Sequence, residues 1–393
     1  MVKKDRTAIF ITPGASKVGG NIFILEFLKW LKRNSSIPFL TIYGNEGELE
    51  QEFRALGEAF RFDEIGAESL IRKGIEKISR EFQLRKLYFQ IAWLRRRLAG
   101  TDIGLIYSNA VTNYRILSAL PVRDVPIISH CHELESVIYR TGIEGFRKTC
   151  EMTSHFVAPA KAVKQNLIQN HNIVPDRISI VNEFIPITVF SPDDLEQKRQ
   201  QVFAELNIPE NAFVVGASGT LYWRKAPELF ILVADLVIKH KVNVPIYFLW
   251  VGGGKKDDFH YFELNYDLEK LTLTDRVHFL EYNPDYFAAL DLFMMISRED
   301  PFPLVCIDAA ARGKPIICFE NAGGTPEFVE DDCGVIVPYL DIRAMADRIV
   351  ELSGNPDLLS KMSIAAAAKA RARHDILETA PKILEIIENF IRR

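Results

Sequence analysis

Residues 297–315 read SREDPFPLVCIDAAARGKP, and the apolar runs on either side of their centre decide the fold. LFMMIS (292–297) comes before and PIICF (315–319) closes the segment; both are short and lack polar alternation. Such runs suit strands covered on both faces, as in a parallel sheet. Between them LVCIDAAA reads as a helix that starts near Leu304 after Pro303 and is ended by Gly313 and Pro315. Strand, helix, strand is a parallel crossover unit. The acids are the oddity, because Asp308 stands inside an apolar helix where an unpartnered carboxylate is costly.

The same alternation extends outward in both directions. TAIFIT (7–12), PFLTIYG (38–44), IGLIYSN (103–109), PIISHCH (126–132), HFVAPA (155–160) and ISIVNEF (178–184) read as strands of a first half. FVVGASG (213–219), IYFLWVG (246–252), VHFLEY (277–282) and GVIVPY (334–339) join the two central runs in the second. Helical patterns such as NIFILEFLKWLKRN and APELFILVADLVIKHK lie between them. The expected class is α/β, with two Rossmann-like doubly wound parallel-sheet domains facing a cleft. The stretch 185–209 breaks the alternation with proline and charge, so the boundary is placed near Pro186, giving domains 1–186 and 187–374. Ligands of such sheets bind beyond the carboxyl ends of the strands.

Composition narrows the function classes. The 393 residues are 48% apolar and 25% charged, which describes an ordinary globular chain of two or three domains. The N-terminal apolar run is too brief for a signal or membrane segment and reads as a first buried strand. Cys131, Cys150, Cys306, Cys318 and Cys333 show no metal spacing, so reduced thiols and a cytoplasmic location are expected. Residues 1–185 carry 26 Lys+Arg against 20 Asp+Glu, and the remainder 22 against 32. That asymmetry suits an anionic partner for the first half but is too mild for nucleic acid. Within it, 71–100 holds nine Lys/Arg and two Glu among aromatic and aliphatic residues. A basic amphipathic helix of this kind either packs its apolar side on a sheet or lies on an anionic membrane.

Five loops carry chemistry. After FVVGASG, Arg224 and Lys225 precede a helix, a pattern suited to gripping a diphosphate or to a plain solvated loop. Asp300 precedes the helix at Leu304, whose first amides, on Leu304, Val305 and Cys306, are open to anionic oxygens. Asp300 and Asp308 could reach different parts of one ligand, or serve as a helix cap and a core hydrogen-bonding group. Gly323, Gly324 and Glu327 open the next helix. In the first half, His130 and His132 stand at i, i+2 on a strand end, share a face, and are followed by Glu133; no third metal ligand is near in sequence. The first loop, TPGASKVGGN, is glycine-rich, but GxGxxG occurs nowhere, which argues against a standard NAD site.

Taken together, SREDPFPLVCIDAAARGKPIICFENAGGTPEFV resembles the donor signature of retaining glycosyltransferases of family 4, which have the GT-B fold. The likeness runs through Gly19–Gly20, His132–Glu133, Asn182, the basic pair, VGGG at 251–254, and two acids separated by seven residues. It implies transfer of a sugar, with retention, from a nucleotide diphosphate donor held by the second domain to an acceptor held by the first. Arg224 and Lys225 would neutralise the diphosphate, Asp308 would take the ribose hydroxyls, and Asp300 or Glu299 the sugar hydroxyls. Gly19 and Gly20 would close over the phosphates, and His132 would sit near the reacting centre. Further donor contacts would come from Gly219, Thr220, Gly252, Gly253, Phe302, Pro303, Leu304 and Val305, with Asn109, His130 and Glu133 on the acceptor side. The final helix, from about residue 375, would pack back on the first domain.

The family usually has Glu at both acidic positions and glycine where Pro301 and Pro303 stand, and it places its arginine further upstream of the lysine. Asp-x-Asp is absent, so no metal and no other cofactor is expected. UDP-glucose or a UDP-N-acetylhexosamine is the expected donor, and a glycan or lipid-linked hydroxyl in cell-surface polysaccharide synthesis the expected acceptor. A peripheral place on the inner face of the membrane would follow from the basic helix. The alternatives are a catalytically inactive sugar-nucleotide-binding scaffold and a UDP-sugar 2-epimerase of similar fold.

Overall fold

A computed structural model describes residues 6–62, 80–240, 242–253 and 259–392. Residues 71–79 of the basic segment and Gly254 of VGGG lie outside them. The chain divides into two compact units, Met1–Glu183 with Ile376–Arg393, and Phe184–Asp375.

Among the described residues the first unit is built on seven strands: β1 (Thr7–Gly14), β2 (Phe39–Asn45), β3 (Ala59–Arg61), β4 (Ile103–Ser108), β5 (Ile127–His130), β6 (His155–Ala158) and β7 (Ile178–Ile180). Their order is β3-β2-β1-β4-β5-β6-β7, and every pairing is parallel. The described residues of the second unit form six: β8 (Phe213–Ser218), β9 (Ile246–Val251), β10 (Val277–Leu280), β11 (Leu292–Met295), β12 (Ile316–Phe319) and β13 (Gly334–Val337). These run β10-β9-β8-β11-β12-β13, again all parallel. In each sheet the order reverses once, between β1 and β4 and between β8 and β11. Those two switch points are where a doubly wound sheet leaves room for a ligand.

Burial explains why the strands were readable. Every residue of β4, β8 and β9 is buried, because helices cover both faces. In the second unit Trp250 packs its indole edge-on against Phe230, with centroids 5.3 Å apart, and tilts against Phe279. The helix Pro192–Leu206 begins with a capping box, in which Ser191 accepts from the Asp194 N–H and Asp194 reaches back to Ser191. The helix Ile376–Ile391 packs against helix Gly19–Asn34 and β4. Arg6 Nη1 donates to Ile391 O at 3.2 Å, and Phe390 lies 5.3 Å from the His155 ring.

Several expectations need adjusting. HFVAPA and ISIVNEF are strands only as far as Ala158 and Ile180, so Glu183 leaves the sheet with the loop after β7. β5 ends at His130, which puts His132 beyond the strand rather than on its face. β3 is a three-residue edge strand with no apolar run to announce it.

Candidate functional site

In the second unit the loops after β8 and β11 meet at the switch point. Arg298 N–H donates to Arg224 O at 2.8 Å, tying the loops together. Gly219, at φ +152°, turns the chain so that its N–H reaches Val251 O (3.1 Å) and its carbonyl accepts from Trp250 Nε1 (2.8 Å). A Cβ there would lie 3.0 Å from the Lys225 chain, so glycine lets the lysine fold back over this turn. The amides of Gly252 and Gly253 both donate to Leu280 O. Thr220 is exposed.

Arg224, Lys225 and Asp300 form one cluster. Both Lys225 Nζ and Arg224 Nη1 contact Asp300 Oδ2, the arginine at 2.9 Å. Arg224 also donates to Glu299 O and, through Nε, to the Tyr222 hydroxyl, each at 2.8 Å. Burial pushes the Asp300 carboxyl up, but Lys225 and Arg224 outweigh it and hold it below the usual range. Burial likewise works against the Arg224 guanidinium, and Asp300 more than restores its charge. Two cations against one carboxylate leave a net positive centre.

The acidic signature sits on a fixed frame. Asp300 N–H donates to Ala322 O at 2.7 Å, and its carbonyl accepts from Gly324 N–H at 3.2 Å. The helix Leu304–Ala311 has Pro303 as its N-cap, and the Cys306 amide is already used on Pro303 O. Leu304 and Val305 therefore supply the first-turn amides, not all three residues. Phe302 turns into the core, stacked on His374 at 4.7 Å and edge-on to Phe328. Asp308 is paired within its own helix to Arg312, which lies over the Phe190 ring at 4.5 Å. Burial still raises the Asp308 carboxyl, with Arg312 pulling the other way. Asp300 and Asp308 thus carry cationic partners of their own rather than standing as bare hydroxyl acceptors. Sequence reasoning missed Arg312 and Tyr222, although Arg312 lies at i+4 from Asp308, the helical spacing for an ion pair.

In the first unit the loop after β1 is pinned by Asn21, which accepts from the Thr12 hydroxyl at 2.8 Å and donates to Ser16 O at 3.0 Å. Gly19 and Gly20 open the helix Gly19–Asn34. Asn109, just past β4, donates through Nδ2 to Gly20 O (2.7 Å) and faces its Oδ1 to His132 Nε2 (2.9 Å). His132 Nδ1 meets Glu183 Oε1 at 2.5 Å. Burial opposes the His132 charge, but Glu183 outweighs it and raises the imidazole above its ordinary value. His130 stacks on His132 with centroids 4.1 Å apart, and its Nδ1 bonds the Tyr107 hydroxyl at 2.7 Å. The edge of Phe23 closes on both rings. Glu133 is buried and accepts from Val111 N–H; burial pushes its carboxyl up to about 7. Glu183 is the third group that sequence spacing did not offer the histidines, because it lies 51 residues from His132.

A family model described as glycosyl transferases group 1 matches residues 198–369, and one described as Glycosyltransferase Family 4 matches residues 39–189. The D-inositol 3-phosphate glycosyltransferase of Thermobispora bispora is 25% identical over 257 residues, 63% of this chain and 59% of that protein. The protein of the same name from Mycobacteroides abscessus is 29% identical over 58% of this chain and 53% of its own. The chain therefore spans only between half and three fifths of the length of these relatives. In fold it matches Anabaena HepE in complex with UDP-glucose, with a TM-score of 0.79, 20% identity and 98% and 99% of the two chains covered. Sucrose-phosphate synthase of Thermosynechococcus elongatus matches with a TM-score of 0.76 at 18% identity, over 98% of each chain.

Proposed function

We infer the reaction from one premise: this chain belongs to glycosyltransferase family 4, within the glycosyl transferases group 1. It transfers a hexose, with retention and without a metal, from a nucleotide diphosphate sugar to a hydroxyl acceptor. One observation carries this reading, the pair of cations held by a single carboxylate at the β8/β11 switch point. As the glycosidic bond stretches, negative charge grows on the leaving diphosphate. Fixed positive groups and the first amides of helix Leu304–Ala311 stabilise that charge without reorganising. Asp300 keeps the two cations in place, and Asp308, paired to Arg312, lies about one turn into the helix Leu304–Ala311, toward the nucleoside end.

UDP-glucose or a UDP-N-acetylhexosamine is the donor we favour, a choice supported by the UDP and UDP-glucose complexes of the similarly folded HepE. The acceptor is a glycan or lipid-linked hydroxyl in cell-surface polysaccharide synthesis. The relatives named for D-inositol 3-phosphate make a phosphorylated polyol the first rival acceptor to try. We assign His132 the role of a charged imidazole near the reacting centre: its affinity for its proton is raised, and its two ring nitrogens meet Glu183 and Asn109. No helix among the described residues is long and apolar enough to cross a membrane. The helix Arg80–Arg97 ends in three arginines and exposes Tyr88 and Trp93, which supports peripheral contact with anionic lipid on the cytoplasmic face.

The test is released nucleotide, measured with candidate donors and a panel of hydroxyl acceptors. Acceptor-dependent release supports transfer. Donor binding without release would point to a scaffold, and conversion of the donor without any acceptor to an epimerase.

A further inference from the structure

The histidine cluster of the first unit holds more than one charged imidazole needs. His130 is fully buried, and its Nε2 has no hydrogen-bond partner among the described residues, although a buried polar nitrogen ordinarily finds one. Among the described residues, His130, His132 and Glu183 are the group whose ligand atoms gather, all within 4.8 Å of one another. Atoms around one ion with bonds of about 2.0–2.1 Å stand about 3–4 Å apart, so a small side-chain rotation closes the set.

The second ring nitrogens decide the matter. A metal-bound imidazole presents one nitrogen to the ion and donates from the other to an oxygen, which fixes the tautomer. His130 Nδ1 already meets the Tyr107 hydroxyl at 2.7 Å, leaving Nε2 for an ion. His132 Nε2 already faces Asn109 Oδ1 at 2.9 Å, leaving Nδ1. Asn109 cannot present its amide the other way round without giving up its 2.7 Å bond to Gly20 O. Both rings are therefore oriented from behind, each toward Glu183.

We propose that His130 Nε2, His132 Nδ1 and a Glu183 carboxylate oxygen bind one divalent transition-metal ion of the zinc class. Two imidazoles and a carboxylate suit Zn²⁺, Co²⁺ or Ni²⁺, and not Mg²⁺, which prefers oxygen ligands. On binding, the ion takes the place of the proton between His132 Nδ1 and Glu183, and that proton leaves to solvent. The ion and the imidazolium exclude each other, so the site is a competitor of the transfer reaction and no part of it. Among the described residues the other histidine–carboxylate contacts, His171–Glu135, His240–Asp347 and His260–Glu263, join no such group of three. The proposal needs no particular sugar or acceptor, so it stands or falls separately from the reaction.

The experiment titrates Co²⁺ into the full chain after chelator treatment and reads the visible ligand-field absorption of low-coordinate cobalt. One equivalent is expected to saturate the band. His130→Gln and Glu183→Gln, each checked for folding by thermal unfolding, are expected to bind at least about tenfold more weakly. His260→Ala, on the exposed pair, is expected to bind as the parent does. If His130→Gln does not fold, the near-isosteric Glu183→Gln decides alone. No absorption band at millimolar Co²⁺, or a band of equal strength and affinity in the glutamine variants, overturns the site.

Discussion

A single oxygen of Asp300 meets both Arg224 and Lys225, so one buried carboxylate holds the two cations of the β8/β11 switch point. Removing it leaves two largely buried positive charges facing each other. Asp300→Ala is therefore expected to cost about 3–5 kcal/mol of stability in urea unfolding. A nucleotide diphosphate should restore part of that loss, because its phosphates replace the missing charge. A variant with unchanged stability would mean that the cations are screened by solvent.

Lys225→Ala tests the clamp from the other side. Fixed charge on a leaving diphosphate acts mainly in the transition state, so turnover should fall at least about a hundredfold. The check is a single-turnover rate with saturating donor. Near-normal turnover would remove the lysine from the chemistry.

Gly323 shows how tightly the acidic signature is framed. It has φ +131°, and a Cβ there would lie 1.7 Å from Asp300 O. Gly100, at φ +80°, has nothing among the described residues within 4 Å of its Cβ position. Gly100→Ala should cost only the backbone preference, about 1 kcal/mol. Gly323→Ala should cost more than about 2 kcal/mol and also lower turnover, because Asp300 must move. Equal losses from the two substitutions would show that the Asp300 frame is not rigid.

Lys314 predicts a pH dependence of stability. Its Nζ donates to Ala288 O at 3.0 Å, and burial pushes its pKa down to about 8, with Asp291 opposing and Arg199 and Arg312 assisting. The unfolded chain keeps this proton to about 10.5. Between about pH 8 and 10.5 the unfolded state therefore binds more protons, and stability rises with pH through this group. The gain is on the order of 2 kcal/mol, since part of the side chain remains exposed. Urea unfolding at pH 7.5 and 9.5 should show the rise in the parent and lose it in Lys314→Met.

Much of this was legible in the residues for a definable reason. Strands covered on both faces, such as β4 and β8, must be apolar throughout, and unbroken runs mark them. The edge strand β3 has no such requirement and left no mark. Arg224, Lys225 and Asp300 could each be singled out beside a strand end, but their mutual pairing spans 75 residues and depends on which strands lie adjacent. The expected face-sharing of His130 and His132 rested on a strand that in fact ends at His130. Their rings meet instead by stacking across the turn that follows. Glu183 was passed over although it fell inside the run ISIVNEF, because nothing in the sequence says that the folded unit brings a residue 51 positions away back to His132.

The most direct test of a second unit that grips an activated sugar through Arg224 and Lys225 is thermal unfolding with a panel of nucleotide diphosphate sugars, run on the parent and on Lys225→Ala. A ligand at about a hundred times its Kd should stabilise the parent by about 2.7 kcal/mol. The expected result is that at least one UDP-sugar raises the parent's Tm by several degrees and leaves the folded variant almost unmoved. Equal stabilisation of both proteins, or no stabilisation of the parent by any member of the panel, would contradict it.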